Sequence, residues 1–454
     1  MKPAYPPGPR WPAAVQSVLF QRRRAWLLPA MRRRYGDVFS LRVPPYADNV
    51  VVFSSPEHIK EIFAGDPVDL HAGEGNQVLG PVMGAHSVLL TDEQEHARAR
   101  RLLMPAFNGA SLRGYGELVT EIVRSEVNDW SASREIVALD RMNAVTLEVI
   151  MRVVFGVTDR RTRDQLAPRL HRMVDISPIV LLGWVFPSLN RLGPWKRFRR
   201  NQIEVDSLLY AEIGKRRQAP DLDERTDVLS RLLQVGGEAG DTPLTDEELR
   251  DQLVTLLLAG HETTAAALSW TLHELAIHPE LQERAAVAAR DHDDKYLEAT
   301  LKESMRLHPV IASTARKLTR DQVIGGWQLP AGTVVNTSII LAHQRPENFP
   351  DALTYRPERF LANEVEPNTW LPFGGGVRRC IGAGFSLMEG TAVLREILTR
   401  YNLALPAGAE PEQGHVRNIT NVPRRRARIA ISPKAHVTGE TSQPDISAGK
   451  GLSK

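Results

Sequence analysis

The most regular pattern of apolar and polar positions in the chain begins after Thr245. This threonine precedes three acidic residues, and Glu248 can form a capping box with it. Apolar residues then recur at helical spacing as far as Ile277, and Pro279 ends the pattern. Between positions 253 and 272 most residues around the helix are apolar. The pattern therefore predicts a buried helix of roughly thirty residues, about 48 Å long.

Much of the remaining chain also has helical periodicity. Segments 38–43 and 50–53 alternate between apolar and polar residues and predict a small hairpin. Ser55, followed by a proline and a glutamate, predicts the N-cap of the next helix. Helical spacing continues from 118 to 154, and Pro168 follows near the start of another helix. The prediction is a mainly α protein with small β-sheets.

Besides the hairpin, four segments depart from helical periodicity. Residues 71–90 contain four glycines among apolar residues and predict a long, partly ordered loop. Residues 179–198 are apolar but broken by glycines and prolines, which is typical of a pocket lid or of a segment that dips into a membrane interface. Residues 315–339 predict short strands with a turn at Pro330. The polar, patternless tail at 433–454 is predicted to be disordered.

Composition narrows the class of protein. The 454 residues are 42% hydrophobic and 24% charged, as in a globular chain with a large core, and the net charge of +3 is too small to indicate nucleic-acid binding. The one cysteine excludes an intramolecular disulfide and suits a reducing cytoplasm. His261 and Glu262 interrupt the longest apolar stretch, so no transmembrane segment is predicted. Arginine runs at 22–24 and 32–34 indicate a solvated face, with a membrane-surface role as the alternative.

The single cysteine lies in the stretch FGGGVRRCIG, residues 373–382. Its three consecutive glycines predict backbone that turns tightly or closely approaches a large, flat group. The helical pattern that follows places Cys380 near a helix N-terminus, where the helix dipole favours a thiolate. Arg378 and Arg379 add positive charge beside it. A buried, inert cysteine, the ordinary alternative, needs neither the glycines nor the arginines.

A second unusual stretch, AGHETT at 259–264, interrupts the long buried helix. A glycine and a threonine lower helix propensity there, and an unpaired buried Glu262 costs more. Thr263 can donate a hydrogen bond to the carbonyl of Ala259, while Gly260 allows a small ligand to approach the backbone. The alternative is that these polar residues interrupt the apolar helix only to bind a structural water molecule.

Two pairs of residues at helical spacing are weak signals by themselves. His96 and Arg100 lie four positions apart, and Glu303 and Arg306 lie three apart. Arg359 follows in a proline-marked stretch, YRPERF.

Taken together, these motifs resemble those of the cytochrome P-450 family of haem-thiolate monooxygenases. The stretch around Cys380 resembles the family's FxGGxRxCxG haem-binding loop, and HxxxR, AGxxT, ExxR and PERF motifs precede it in the family's order. The resemblance covers nearly the whole chain. It implies a single cytochrome P-450 domain at 1–432 with haem b, iron protoporphyrin IX, as the cofactor.

The resemblance also implies roles for individual residues. Cys380 would be the axial thiolate ligand of the iron. Thr263 and Glu262 would be catalytic, with Thr263 hydrogen-bonded to dioxygen and Glu262 helping to relay protons. Glu303, Arg306 and Arg359 would form a buried charge network near the cofactor. The residues that would bind the haem, the first four of them through its propionates, are His96, Arg100, Arg316, Arg378, Phe373, Gly260 and Gly382. Many relatives carry histidine in place of Arg378.

The implied activity is insertion of one oxygen atom from dioxygen into an apolar substrate, such as a fatty acid, terpenoid or steroid. Residues 71–90, 179–186, 256–259, 310–312 and 419–422 would surround the substrate. Electrons would come from separate partners, a ferredoxin and its NAD(P)H-dependent reductase. The protein would be a cytoplasmic monomer that contacts a membrane at most weakly. A haem-thiolate peroxygenase or isomerase is the alternative, although it would not need Glu262 and Thr263; a haem-based sensor would need an output segment that the sequence does not show.

Overall fold

The computed structural model describes residues 5–434 except positions 45, 129, 131–132, 158, 175–187, 189–192, 235–241, 363–364 and 418. Most of the predicted lid at 179–198 and the predicted tail beyond residue 434 lie outside the described residues. Pro433, the predicted first residue of that tail, is still the last residue of a strand.

Helices form most of the described structure. They are α1 (Ala13–Arg22), α2 (Arg24–Tyr35), α3 (Pro56–Ala64), α4 (Gly80–Met83), α5 (Glu93–Leu103), α6 (Gly109–Asn128), α7 (Ala138–Val149), α8 (Arg160–Val174), α9 (Gly193–Arg217), α10 (Val228–Gln234), α11 (Asp246–Ile277), α12 (Pro279–Arg290), α13 (Asp294–Leu307), α14 (Ile339–His343) and α15 (Ala383–Leu398). None of the described helices is both long and apolar enough to cross a membrane.

The strands are short. They are β1 (Val38–Val43), β2 (Ala47–Phe53), β3 (Leu70–His71), β4 (Glu135–Val137), β5 (Ser313–Leu318), β6 (Gln322–Ile324), β7 (Trp327–Leu329), β8 (Val334–Ser338), β9 (Tyr401–Ala404), β10 (Gly414–Arg417), β11 (Thr420–Pro423) and β12 (Arg428–Pro433). One sheet has the order β1-β2-β8-β5-β3, and a second has the order β4-β12-β9. Only β2 and β8 pair in parallel; the other neighbours are antiparallel. β6 and β7, and likewise β10 and β11, form two-stranded ladders.

The predicted long helix is confirmed as α11, which crosses the main hydrophobic core. Thr245 and Glu248 form the predicted capping box, and the helix ends before His278. Trp270, in its second half, is completely buried. Because α7, α13 and α15 all lie against it, α11 positions the residues of the candidate site.

Several local predictions are also confirmed. β1 and β2 form the predicted hairpin, and Ser55 accepts the N-cap hydrogen bond from the His58 amide. The strands predicted between 315 and 339 are present, and the amide of Thr333 donates to the carbonyl of Pro330 at 3.2 Å in the turn between two of them.

Three local predictions were wrong. Residues 71–90, predicted as a loop, contain a 3-10 helix at Glu74–Leu79 and the short α4. The helical pattern at 118–154 is interrupted, because Glu135–Val137 pairs with β12 instead of continuing a helix. Pro168 lies in the interior of α8, not near its start.

Side-chain contacts hold α8 against α9 next to the proline in α8. Asn201 of α9 donates a hydrogen bond from its side-chain amide to the Arg169 carbonyl at 3.0 Å, and Arg172 donates back to the Asn201 amide oxygen at 3.1 Å. These bonds join α8 to α9 beside the missing proline N–H.

Candidate functional site

The loop that carries Cys380 is closed by its own backbone. The amide of Cys380 donates to the carbonyl of Phe373 at 2.9 Å. Gly374 and Gly376 both have φ of +63°, a region that favours glycine. A Cβ at Gly376 would lie 2.2 Å from the carbonyl oxygen of Phe63. The predicted tight turn and close approach are therefore present, although the close neighbour seen here is α3.

Cys380 lies just before α15, whose N-cap is Gly382, as predicted. Its side chain is accessible although protein surrounds it closely, which is typical of a residue that lines an internal cavity. Desolvation raises the pKa of the Cys380 thiol, while the Gly382 amide and the charges of Arg100 and Arg379 act in the opposite direction. A metal ion that binds a thiol removes its proton outright, even where desolvation raises the pKa of the thiol. The setting of Cys380 therefore fits a metal ligand.

The other two predicted residues of this loop have different surroundings. The ring of Phe373 packs edge-on against Trp370, with 5.7 Å between ring centroids. A Cβ added at Gly382 would meet no atom within 4 Å. Space is therefore available beside Gly382, two residues after Cys380.

Four basic residues predicted to bind propionates influence one another electrostatically. Burial, with the charges of Arg378 and Arg100, lowers the pKa of His96 to about 4, so its imidazole is neutral at pH 7. Burial, with the charge of Arg378, lowers the pKa of Arg316 to about 10. Among the described residues, no carboxylate lies within ion-pair distance of Arg100 or Arg316. The buried Arg316 and the half-buried Arg100, both without a carboxylate partner among the described residues, fit a dianionic ligand such as the two propionates of haem b.

Arg378 already has a protein partner. It forms an ion pair with Asp92 and donates to the carbonyl of Thr91 at 2.7 Å. Asp92 also accepts from the amides of Ala72 and Gly73, both at 2.9 Å. Arg378 therefore ties the cysteine loop to the start of α5 and to the segment after β3. The sequence analysis missed Asp92, which stands at a helix N-cap and gave no other signal.

At the AGHETT stretch, one face of α11 is accessible to solvent. Ala259 is exposed and Thr263 is half-buried, although the neighbouring turns are buried. The Thr263 hydroxyl donates to the carbonyl of Ala259 at 2.5 Å, as predicted, so its oxygen can still accept a hydrogen bond. One residue on, Thr264 Oγ1 lies 3.2 Å from Ser386 Oγ in the first turn of α15. This contact joins the Thr263 region to the helix that follows Cys380.

Gly260 has a packing reason that the sequence analysis did not include. A Cβ at Gly260 would lie 3.1 Å from Ile150 Cδ1, which is tighter than most real contacts. The glycine therefore lets the segment after α7 pack closely on α11. Its predicted contact with the cofactor stays a prediction.

Glu262 is buried beside an arginine. Its Oε1 lies 3.6 Å from Arg417 Nε, at the end of β10. Arg417 lines a pocket of about 480 Å³ together with His171, Asp140 and Arg426. A carboxylate within α11 is thus connected, through one arginine, to a polar pocket outside the helix.

The preceding residue, His261, has a structural role. Its Nδ1 lies 2.8 Å from Thr146 Oγ1 on α7, and burial lowers its pKa to about 3. A neutral, hydrogen-bonded imidazole joins the two helices and is not an acid–base group near pH 7.

The predicted charge network is present and completely buried. Arg306 donates to both carboxylate oxygens of Glu303, from Nε at 2.7 Å and from Nη2 at 2.9 Å. Arg359 Nε donates to the same carboxylate at 3.0 Å. The arginines also donate to carbonyls of the irregular segment after α14, including Ala352 at 2.7 Å and Pro350 at 3.2 Å. The network therefore fixes that segment to α13.

His343, which the sequence analysis missed, extends the network to the cysteine loop. Its Nε2 accepts from the amide of Leu371 at 2.8 Å, so its Nδ1 must donate to the carbonyl of Arg306 at 3.1 Å. This arrangement requires a neutral ring, and complete burial lowers the pKa of His343 to about 3. Leu371 is two residues before Phe373, so α13 holds the start of the loop through His343.

We expect this histidine to make stability depend on pH. The unfolded chain binds a proton at His343 below pH 6.5, whereas the folded chain does so only near pH 3. Folding stability is therefore lost as pH falls, by about 1.4 kcal/mol per pH unit for this group. Urea unfolding of the His343→Gln protein should show a shallower loss between pH 6.5 and 5 than the parent does. His415→Gln, at an exposed position, is the control, and equal slopes in the two variants would contradict the assignment.

The segment before α5 is anchored to α11 at several points. Asp251 Oδ2 accepts from the amide of His86 at 2.9 Å, and Gln252 Nε2 donates to the carbonyl of the same residue at 2.5 Å. Thr255 Oγ1 donates to Ser87 Oγ at 2.7 Å. The predicted substrate-covering segment is therefore fixed to the first half of α11. The signal in the sequence was the group of polar residues on an otherwise buried helix.

Comparisons with known proteins agree with this arrangement. A sequence model of the cytochrome P-450 family matches residues 6–426. The chain is 58% identical over 434 residues to cytochrome P-450 135A1 of Mycobacterium tuberculosis, which covers 96% of each protein. It is 40% identical over 452 residues to cytochrome P-450 135B1 of Mycobacterium bovis, covering 98% of this chain and 95% of the relative.

The fold is similar to that of a solved structure, retinoic acid-bound cyanobacterial CYP120A1. The TM-score is 0.83 at 23% sequence identity, and the similarity covers 95% of this chain and all of that chain. At this identity the likeness shows the fold. Together with the family match over nearly the whole sequence, it establishes that the chain belongs to the cytochrome P-450 family of haem b-binding monooxygenases.

Proposed function

We propose that this protein hydroxylates an apolar small molecule with dioxygen, using electrons from a separate ferredoxin and its reductase. Substrate, dioxygen, two electrons and two protons give the hydroxylated product and water. Haem b supplies the iron at which dioxygen is reduced and its O–O bond is cleaved. Cys380 would provide the thiolate ligand of the iron, and His96, Arg100, Arg316 and Arg378 would bind the propionates.

The observation that carries this proposal is the pairing of two accessible positions within the core. Cys380 and the Ala259–Thr263 face of α11 are both open, and the Thr264–Ser386 contact joins α11 to the helix that follows Cys380. Cys380 and Thr263 would then both face one bound cofactor. Among the described residues, Arg100 and Arg316 have no carboxylate partner, whereas Arg378 pairs with Asp92. The two arginines without a partner therefore fit the propionates of a haem.

Proton supply is the task we assign to Glu262 and Thr263. The Thr263 hydroxyl donates to Ala259, so its oxygen accepts a hydrogen bond from a bound molecule. Glu262 is held by Arg417 at the edge of the polar pocket that His171 also lines. A proton taken up in that pocket can reach Glu262 and pass to Thr263 once Glu262 turns away from Arg417.

An apolar substrate is supported by two segments that meet beside Trp270, in the second half of α11. The amide of Asn421 donates to the carbonyl of Val310 at 2.8 Å, and Trp270 Nε1 donates to the Asn421 carbonyl at 3.1 Å. Segments 310–312 and 419–422 thus adjoin each other and α11. Val310, Ala312 and Val422 are buried apolar residues of this region.

Isotope labelling tests the proposed reaction. Purified protein is titrated with fatty acids, terpenoids and steroids, and compounds that shift the haem spectrum are incubated with ¹⁸O₂, ferredoxin, reductase and NADPH. One labelled oxygen atom should appear in the product. Unlabelled product, or product formed with hydrogen peroxide alone and not with dioxygen, would identify a peroxygenase or isomerase instead.

The electron donor is expected to approach the cysteine loop. Arg379 is exposed there and, with Arg100, contributes positive charge near Cys380. An acidic ferredoxin would be steered to this surface, and salt would screen that attraction beyond a Debye length of about 8 Å at physiological ionic strength. The competing interpretation is that Arg379 is only a solvated loop charge.

Rapid-mixing measurements of haem reduction separate the two interpretations. Reduction by ferredoxin should slow as salt rises, and Arg379→Glu should slow it by about tenfold at low salt while the haem spectrum is unchanged. Arg199→Glu, at an exposed position on α9, is the matched control. A rate that is independent of salt, and equal in both variants and the parent, would place the partner elsewhere.

A further inference from the structure

The first helix of the chain buries two polar residues and exposes two valines, although Leu19 and Phe20 of the same helix pack against the core. A surface helix normally buries its apolar face. In α1, however, Gln16 and Ser17 are buried, whereas Val15 and Val18 are 45% and 56% exposed. The two valines lie three positions apart and therefore share the outer face, with Arg22 one turn further on.

The buried polar side chains fasten α1 to the rest of the protein. Gln16 Nε2 donates to the carbonyl of Trp11 at 2.8 Å, and Gln16 Oε1 accepts from the amide of Arg42 at 2.9 Å. Ser17 Oγ donates to the carbonyl of Pro44 at 2.5 Å. Because these bonds hold the helix against the end of β1, the outer valines are not needed to position it.

Aromatic residues extend the exposed apolar surface at both ends of the helix. Trp11, just before α1, is 37% exposed, and Trp26, in the first turn of α2, is 56% exposed. Single exposed apolar residues are common in soluble proteins. Here two exposed tryptophans and two exposed valines lie within residues 11–26, and tryptophan is favoured where one end of a side chain is apolar and the other is hydrated.

The same segment is strongly basic. Residues 1–36 contain Lys2 and seven arginines but no aspartate or glutamate. Arg22 and Arg23 are exposed and form no ion pair within the described part of the chain. Arg24 is partly buried, its Nε has no hydrogen-bond partner, and burial lowers its pKa to about 10. An anion beside these arginines would stabilise them.

We infer that this surface, made of Trp11, Val15, Val18, Trp26 and arginines 22–24, docks on an anionic lipid bilayer. Exposed valine and tryptophan side chains would enter the headgroup boundary, and the arginines would bind lipid phosphates, with α1 lying in the plane of the interface. The absence of acidic residues in this segment favours a lipid surface over a protein with mixed charge.

Docking at this surface would bring the predicted substrate region close to apolar compounds in the bilayer. α1 lies beside β10, and the β10–β11 hairpin bears Ile419, which is 47% exposed, and the buried Val422 of the predicted substrate region. A compound dissolved in the bilayer would then meet the protein next to that region. This consequence rests on the proposed function, but bilayer binding itself does not.

Co-sedimentation with vesicles tests the inference. Haem-loaded full-length protein is mixed with vesicles of phosphatidylcholine, alone or with an equal amount of phosphatidylglycerol. The protein should bind only the anionic vesicles, and the double variant V15E/V18E should bind them at least about tenfold more weakly. Val323→Glu, the same change at an exposed valine of β6, is the matched control and should bind like the parent.

A second variant separates charge from apolar contact. R22Q/R23Q should lose the preference for anionic vesicles while its haem spectrum and circular dichroism remain those of the parent. The inference is wrong if the parent does not sediment with anionic vesicles, or if V15E/V18E binds them as Val323→Glu does. It is also wrong if light scattering shows a parent dimer that V15E/V18E converts to a monomer, since the surface would then be a contact between two copies of the chain.

Discussion

Replacing Glu303 by alanine should destabilise the protein by about 3–5 kcal/mol, because it leaves two buried arginines without their shared carboxylate. Glu303, Arg306 and Arg359 are all essentially inaccessible, so the two arginines are shielded from bulk water. The segment after α14 and, through His343, the start of the cysteine loop would lose their anchor on α13. Haem should consequently be retained poorly even in the part of the sample that folds.

Urea unfolding measured by circular dichroism gives the loss of stability, and absorbance at the Soret band gives the haem content. Glu298→Ala is the matched control, because it removes a glutamate from the same helix whose partner, Lys302, is at the surface. Exposed pairs contribute about 1 kcal/mol or less, so this control should be nearly neutral. Equal stability and haem content in the two variants would show that the network does not support the loop.

Thr263→Ala should leave haem and substrate binding intact but divert most electrons from product to hydrogen peroxide. The hydroxyl is the polar group on the open face of α11, next to the buried Glu262. A positioned proton donor typically contributes a factor of about 10²–10⁴, so product formed per NADPH should fall by about tenfold or more. The overall rate of NADPH use need not fall.

Product, peroxide and NADPH are measured together for this variant. Thr271→Ala is the control, since Thr271 lies on the same helix and likewise donates to the carbonyl four residues earlier, at 2.8 Å, but is completely buried. The Thr271→Ala protein should form as much product per NADPH as the parent does. Unchanged product per NADPH in Thr263→Ala would rule out its role in proton delivery.

Local sequence signals were sufficient for much of the fold. The capping box at Thr245, the N-cap at Ser55 and the hairpin at β1–β2 each depend on residues within a few positions of one another, and each was predicted correctly. Residues 71–90 were predicted less well. Their conformation depends on Asp92 and on side chains of α11 that are about 165 positions away in sequence.

The residues of the candidate site also divide into those with a local sequence signal and those without one. The cysteine loop and the open turn at Thr263 were predicted because each carries a dense local motif, whereas the Glu303 network was implied by the family resemblance, since its own residues are weak signals by themselves. Asp92 and His343 were missed because an isolated acid or histidine has no distinctive neighbours in sequence. Their importance comes from the groups that folding brings to them, namely Arg378 and the Leu371 amide.

The role of Cys380 as the iron ligand is tested most directly by the spectrum of the reduced protein with carbon monoxide. The parent should show the strongly red-shifted Soret band of thiolate-ligated haem. Cys380→Ser should bind haem with this band absent and should form no hydroxylated product. A Cys380→Ser protein that retained the red-shifted band, or a parent that lacked it while loaded with haem, would contradict the assignment of Cys380 as the ligand.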